Sequence, residues 1–555
     1  MSARPLNWPE AVRAMVDAAL LSVGIVLALT GAALLFSYAP TPERAWASVY
    51  YTTHVAAGGA MVRALHALAS HAIIVLAGAR LVVGAVVVRW DRKEERGAHV
   101  LALALAVLSV VIAITGHVLP WDQAGWSARK VEFQLVTLLP LVGDWLAKGA
   151  QGGDELGALG LTRMFATHLV LGSLLTFVVA KNGTRALAET PRRCAFVVAG
   201  SVFSLVVGAV TLGAPQLGAP MVPAAEFAAR PEWFVEPLFR TRKFFHGMGE
   251  VVGPGALPAI LGGYLLLVPM LAARFSVKRR VLLLPFGLAV AALAALVMTG
   301  RRAESLDGEL QRERAQVASL DARALKLAAR GIPSEGPVAM LRGDPLVRGR
   351  ELYARYCSSC HVQGDLGDAQ KAKAPRLDGW GSAAWIEHTL REPDASDRFG
   401  RGPYVGKMPA ADKNVPDAPA GTDSRSVKNA DEMRAIVSFL VKQGEEPGEP
   451  SKASDARAVA EGERLVSTRC TTCHTLRGKG DDEGSQLAPE LAGYGSLAWT
   501  RALIANPSSE LTYRALVVDP ATKGHMPRFD GEMSARDIDL VAQYVRSMGR
   551  GLSLE

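Results

Sequence analysis

Seven stretches of this chain are apolar for long enough to cross a hydrocarbon core of ~30 Å as helices, and no other feature limits its fold as much. Where water is absent, every backbone N–H and C=O must be satisfied within its own segment, so a helical bundle is the expected form. The stretches lie near 14–37, 61–88, 99–119, 161–181, 194–213, 256–274 and 279–299. The first lacks a small-residue cleavage site and carries Asp17 near its start, so it reads as a retained anchor and not as a removed signal peptide. Beyond Gly300 the chain turns polar and charged.

Lysine and arginine gather after alternate apolar runs: Arg89, Arg92 and Arg96, then Lys181, Arg185, Arg192 and Arg193, then Arg274, Lys278, Arg279 and Arg280. Such loops stay in the cytoplasm, so an odd number of crossings delivers everything after Gly300 to the opposite side. The expectation is a multi-pass protein of a bacterial cytoplasmic (inner) membrane, in contact with lipid, with its C-terminal part in the periplasm. The formal charge of +8 sits largely at helix ends, so no nucleic acid partner is expected. Between Arg301 and Leu341 a charged run that includes Glu304, Asp321 and Arg323 is broken at Gly331-Ile332-Pro333, and predicts a helical stalk with a solvated face.

Four of the five cysteines sit in two runs, Cys357-Ser358-Ser359-Cys360-His361 and Cys470-Thr471-Thr472-Cys473-His474. Two thiols at this spacing add to haem vinyl groups while the next residue offers an imidazole to the iron. The surrounding sequence repeats as well: Gly349-Arg350-Glu351-Leu352 with Gly462-Glu463-Arg464-Leu465, Ala374-Pro375 with Ala488-Pro489, and Gly381-Ser382-Ala383-Ala384-Trp385 with Gly495-Ser496-Leu497-Ala498-Trp499. Duplicated domains follow. Met408 and Met526, each followed by proline, stand where a sixth iron ligand is needed, and thioether ligation raises the potential. Core packing is the other reading of both methionines, and His525 is a rival to Met526. A zinc site or redox dithiol is the other reading of the cysteine runs. The remaining Cys194 reads as a buried packing residue. Both repeats resemble class I cytochromes c, over about 345–443 and 455–549. Covalent haem attachment takes place outside the bacterial cytoplasm, in agreement with the topology.

The membrane half carries a second set of motifs. Ala45-Trp46-Ala47-Ser48-Val49, Gly58-Gly59, Arg63-Ala64-Leu65-His66, Gly116-His117-Val118-Leu119-Pro120-Trp121-Asp122-Gln123, Thr162 to His168, and Pro231-Glu232-Trp233-Phe234 occur in order. They resemble cytochrome b of the bc-type quinol:cytochrome c oxidoreductases, in the chloroplast-like form with its smaller subunit fused on. His66 and His168 each lie a turn or two into a helix that begins at the outer face, roughly 9–12 Å deep, which suits bis-histidine ligation of one haem b. The resemblance implies that this pair holds the outer haem, that Arg63 meets a haem propionate, and that Glu232 accepts a proton from quinol. The alternative for Glu232 is an ion pair with Arg240 or Arg242. His117, where the family has tyrosine, could relay protons; His71 points to another helix face and reads as packing.

Cytochrome b has a second histidine about fourteen residues after the first on each helix, for an inner haem. This chain has Arg80 and Asn182 there. One haem b and two covalent haems c are therefore expected, with the inner haem b absent and a conventional Q-cycle in doubt. The expected fold is all-α, a seven-helix transmembrane bundle followed by two small α-helical cytochrome c domains. Its divisions are a haem-binding membrane domain at 1–190, a quinol-site membrane domain at 191–300, a helical linker at 301–344, and cytochrome c domains at 345–445 and 455–552. The expected function is oxidation of quinol at the periplasmic face by a respiratory complex. Family precedent implies a separate Rieske iron–sulfur protein, a homodimeric complex, and a downstream cytochrome c or terminal oxidase. The rival readings are a non-catalytic dihaem conduit on a degenerate anchor, and quinone reduction by the same residues in reverse.

Overall fold

The computed structural model describes residues 8–137, 141–222, 231–245, 256–402, 404–411, 427, 429–447, 455–480, 488–513 and 526–549. The chain divides into two compact units, Met1–Ala339 and Met340–Glu555.

In the first unit the long helices are α1 (Trp8–Leu35), α3 (Gly59–Val87), α4 (Lys93–His117), α7 (Ala158–Glu189), α8 (Pro191–Leu212), α10 (Leu257–Phe275) and α11 (Arg279–Leu306), with the short α2 (Ala45–His54), α5 (Gln123–Thr137), α6 (Gly143–Gln151) and α9 (Glu236–Thr241) between them. Among the described residues seven helices are long and apolar enough to cross a membrane, as the seven apolar runs predict. The helices outlast the runs because polar residues continue the backbone ladder past the hydrocarbon edge. Leu20, Leu21, Ile73, Ala77, Leu105, Leu175 and Val179 close the space between α1, α3, α4 and α7. Within this bundle Asp17 Oδ1 accepts from Arg80 Nε at 2.6 Å, both side chains being almost fully buried.

The short helices α2, α5 and α6 do not stand out as apolar runs. They cover the end of the bundle where α3 begins and α4 ends. Trp121, Trp126 and Phe133 bury their rings with Leu156, Leu161 and Met164, each worth about 2 kcal/mol of apolar burial. Asp122 starts α5 by accepting from Gly125 N at 2.8 Å, and its other oxygen accepts from Gly218 N at 3.2 Å. Trp46, fully buried, donates to Gly218 O at 2.7 Å. The resembling motifs around Trp46 and Trp121 thus hold one lid together.

The charged run after Gly300 is helical. Asp307 ends α11 and caps α12 (Gly308–Ala328), accepting from Glu309 N and Leu310 N at 3.0 and 3.1 Å. Its charges are not all on a solvated face, which corrects that expectation. Asp321 Oδ1 accepts from Ala219 N at 2.6 Å, and Arg323 is buried. A polar side chain can satisfy a buried backbone N–H, and the charge pattern alone does not show which residue does so. A short α13 (Pro337–Arg342) lies at the junction of the units.

The second unit contains α14 (Arg350–Tyr356), α15 (Ala383–Arg391), α16 (Ala430–Gln443), α17 (Ala456–Arg469), α18 (Leu497–Ala505) and α19 (Ala535–Gly549), with one hairpin of β1 (Thr475–Leu476) and β2 (Lys479–Gly480). The repeated Gly-Ser-x-x-Trp segments have one local cause. Ser382 and Ser496 cap α15 and α18 by accepting from Trp385 N and Trp499 N, both at 3.2 Å. Gly381 and Gly495 precede them with φ of 75° and 76°, a region open mainly to glycine.

The two repeats cross helices with each other. Gly349, in the turn before α14, lies against α19, where an added Cβ would be 2.4 Å from Leu540 O. Gly462, on α17, lies against α16, where a Cβ would be 2.0 Å from Ala435 O. Tyr353 packs on Tyr544 with ring centres 5.7 Å apart, and Arg469 binds Glu432 at 2.6 Å. In both crossings the first helix of one repeat meets the last helix of the other, so one continuous core serves both.

Candidate haem and quinol sites

His66 on α3 and His168 on α7 face each other with ring centres 6.3 Å apart. An iron between two imidazoles, with metal–nitrogen bonds of about 2 Å, sets ring centres roughly 6 Å apart. Each Nδ1 is already engaged: His66 Nδ1 with Thr30 Oγ1 at 3.0 Å, and His168 Nδ1 with Ile112 O at 3.0 Å and Thr115 Oγ1 at 3.2 Å. Bonding to a carbonyl puts the His168 proton on Nδ1 and leaves Nε2 as the lone pair, the tautomer a metal needs. Gly31 and Gly116 give the rings room, since a Cβ at Gly116 would lie 2.7 Å from His168 Cε1. The pair fits a haem. Arg63, one turn before His66, donates to Pro215 O at 2.7 Å and to Thr53 Oγ1 at 3.2 Å.

Deeper in the bundle the arrangement is different. Arg80 is spent on Asp17, and at Gly183, beside Asn182, a Cβ would be 2.4 Å from Leu21 Cβ. Helices α1 and α7 are in close contact at the level where a second pair of histidines would be needed.

Glu232 lies in the turn before α9, and its Oε1 is 3.0 Å from His117 Nδ1. Of the two arginines expected as alternative partners, Arg240 binds Glu236 at 2.8 Å and Glu304 at 2.7 Å instead. His117 directly follows Gly116, which abuts His168, so the carboxylate–imidazole pair is one residue along α4 from the haem pocket. Trp233 Nε1 donates to His71 Nδ1 at 3.0 Å, so His71 has a hydrogen-bonding role beside Glu232 that its helix face did not reveal.

Sequence reasoning missed two further charges at this place. Glu132 and Arg129 on α5 form a buried ion pair, and Arg129 Nη2 donates to Ile114 O at 2.6 Å. Burial raises the Glu132 carboxyl above its usual range, while Arg129 and His117 oppose the rise. The signal available was two charges in a segment that otherwise buries Trp126 and Phe133.

In the second unit His361 Nδ1 is 2.7 Å from Pro375 O and His474 Nδ1 is 2.9 Å from Pro489 O. The Ala-Pro repeats therefore supply the carbonyls that orient the two imidazoles and leave each Nε2 for iron. Burial pushes the Cys357 thiol up to about 12 and the Cys470 thiol up to about 11. Cys360 and Cys473 complete the two runs and are more exposed than a core residue. Met408 and Met526 are half-buried against the shared core; His525 lies outside the described residues. Cys194 is buried and touches Thr190 Oγ1 at 3.2 Å, a packing residue as expected.

The family model described as Cytochrome b/b6/petB matches residues 12–182. Cytochrome b6 of Gloeobacter violaceus is 32% identical over 149 residues, which are 27% of this chain and 69% of that protein. The chain belongs to the cytochrome b/b6 family. Its second unit matches the models described as Cytochrome c, at residues 459–549, and as Cytochrome C oxidase, cbb3-type, subunit III, at 344–421. Cytochrome b6 of Synechococcus elongatus is 34% identical over 139 residues, 25% of this chain, and the chain spans 64% of that relative's length. A solved structure titled "Hyperthermophilic respiratory Complex III" overlaps 59% of this chain and 91% of its own at 17% identity, with a TM-score of 0.44. The protein is thus a multi-pass membrane cytochrome, a haem-binding cytochrome b/b6 domain fused to two haem-binding cytochrome c domains.

Proposed function

We propose that this cytochrome b/b6 protein is the electron-transfer subunit of a respiratory quinol:cytochrome c oxidoreductase. Quinol reacts beside Glu232 at the periplasmic face, and electrons pass to one haem b and two haems c. The observation that carries this is the Glu232–His117 contact of 3.0 Å, set one residue from the pocket of the facing histidines. A carboxylate that bonds an imidazole can take a proton as an electron departs and pass it on. An inert anchor for a dihaem conduit would need neither the carboxylate nor the histidine pair.

His66 and His168 would hold haem b. Cys357, Cys360 and His361, with Met408, would hold one haem c; Cys470, Cys473 and His474, with Met526, would hold the other. When bound, these haems supply one-electron carriers whose potentials follow the axial ligands. Arg63 sits where a propionate is expected. The Asp17–Arg80 pair and the close approach of Leu21 to Gly183 support the absence of an inner haem b. A separate Rieske iron–sulfur protein would take the other quinol electron, a homodimeric assembly is expected, and a soluble cytochrome or terminal oxidase would accept electrons from the c haems.

The test is quinol-driven haem reduction in the purified complex, with a pyridine haemochrome ratio. A b:c ratio of 1:2 is expected, and a 1:1 ratio would sink the single haem b. Glu232→Gln should slow quinol oxidation without loss of haem; unchanged turnover would remove Glu232 from the reaction.

A further inference from the structure

Oxidation of a quinol releases two protons, and Glu232 beside His117 gives only the first step of their way out. Helix α5 lies across the end of α4 at this point. Arg129 Nη2 donates to Ile114 O at 2.6 Å, one turn before His117, and Glu132 follows Arg129 by one turn on the same helix. Their side chains are 3% and 11% exposed. The charged and titratable groups that act on Glu132 are Arg129, His117 and Glu232. Glu232 also acts on Arg129, so all four form one electrostatic cluster.

We propose that Glu132 is the onward proton acceptor of this site, receiving through His117 the proton that Glu232 takes from quinol. The proposal rests on the quinol reading above. A quinol hydroxyl gives its proton to the Glu232 carboxylate, Glu232 gives one to His117 Nδ1, and the proton on Nε2 leaves for the Glu132 carboxylate. Only protons move in this relay; the electrons go to haem b and to the iron–sulfur partner already named.

The charge balance supports this route. With both carboxylates ionised, Arg129 charged and His117 neutral, the four side chains sum to one negative charge. One added proton makes the cluster neutral, which favours its uptake beside the buried Arg129–Glu132 pair. A purely structural Arg129–Glu132 pair would gain little here, since buried ion pairs rarely stabilise more than apolar side chains of the same size. Glu132 does not touch substrate, so it is a relay residue.

The test compares the wild-type complex with Glu132→Gln, Glu132→Asp and Glu232→Gln. The readouts are steady-state oxidation of decylubiquinol and menadiol across pH, and the infrared difference spectrum on electrochemical reduction of the haems. Glu132→Gln should lower kcat on the order of tenfold or more, flatten its pH profile and leave KM within about twofold, with haem spectra intact. Glu132→Asp should restore most of the rate. A protonated-carboxyl band that appears on reduction should be lost in Glu132→Gln and kept in Glu232→Gln. An unchanged pH profile together with an unchanged band in Glu132→Gln overturns the assignment. If wild-type protein oxidises neither quinol, the quinol reading fails, and the electrochemical band alone then decides: its loss in Glu132→Gln supports proton uptake there, and its persistence refutes it.

Discussion

The His66 and His168 rings face one another with centres 6.3 Å apart, and Nδ1 of each is tied to a threonine hydroxyl on a neighbouring helix. Two helices supply the imidazoles and two others, α1 and α4, fix their orientation. If the pair holds haem b as proposed, leucine at either histidine leaves the other imidazole without its partner. His66→Leu and His168→Leu should each abolish b-type absorbance while both c-type signals persist. Thr30→Val removes one acceptor from His66 Nδ1 and leaves the Leu27 backbone beside the ring, so haem b should be retained with a modestly higher midpoint potential, because the imidazole becomes less basic. Potentiometric titration at the b-band checks both outcomes.

The two helix crossings give a second expectation. A methyl group at Gly349 would come 2.4 Å from Leu540 O, and one at Gly462 would come 2.0 Å from Ala435 O. Backbone cannot yield as a flexible side chain does, so each alanine substitution should cost about 1–3 kcal/mol or more. Each crossing joins the repeats, so a change in one should be felt in both. Gly462→Ala should lower the thermal transition of both c-type spectra together. Independent transitions, with only the second repeat affected, would show that the exchange of helices is not maintained in solution.

What could be read from the sequence follows from which residues announce their surroundings. Seven apolar runs announce seven helices because lipid leaves the backbone no other form. His66, His168 and the two cysteine runs stand out because their residue types have few other uses at those spacings. Glu132 and Arg129 did not, because α5 is neither apolar enough to span nor polar enough to be a loop, and a charge on it looks like surface. The sequence offered Glu232 an arginine as its alternative partner, and only the position of the turn before α9 sets it beside His117. The repeat showed two copies but not which copy's last helix meets which first helix, since similar crossings carry similar residues. Asp321 reads as surface charge until Ala219 N is seen donating to it.

That last contact is pH-sensitive. Burial pushes the Asp321 carboxyl up to about 6 from a usual value near 3.8, with Asp122 adding to the rise and the Ala219 N–H opposing it. The folded state therefore binds this proton more tightly than the unfolded chain does. Its stabilising effect is full below about pH 4 and is lost as pH rises through about 6. Asp321→Asn keeps an oxygen to accept from Ala219 N and removes the charge. The variant should resist proteolysis between α11 and α13 better than wild type at pH 7.5 and equally at about pH 3.5. A difference of the same size at both pH values would show that this carboxyl does not titrate there.

The Asp17–Arg80 pair sits where a second haem would need a histidine, and its side chains are 11% and 6% exposed. Taking one partner away strands a charge inside the bundle, at a cost of about 3–5 kcal/mol for a buried pair and no less among lipid-facing helices. Asp17→Ala and Arg80→Ala should each lower the melting temperature and the yield of haem b. The joint replacement Asp17→Leu with Arg80→Met strands nothing and should recover most of that loss. Arg80→His tests a different point. An imidazole there gains no partner histidine on α7, where Asn182 stands, and Leu21 lies against Gly183 where the porphyrin would have to enter. The b:c ratio in this variant should stay at 1:2, and a second b-type signal would show that the space for an inner haem had been retained.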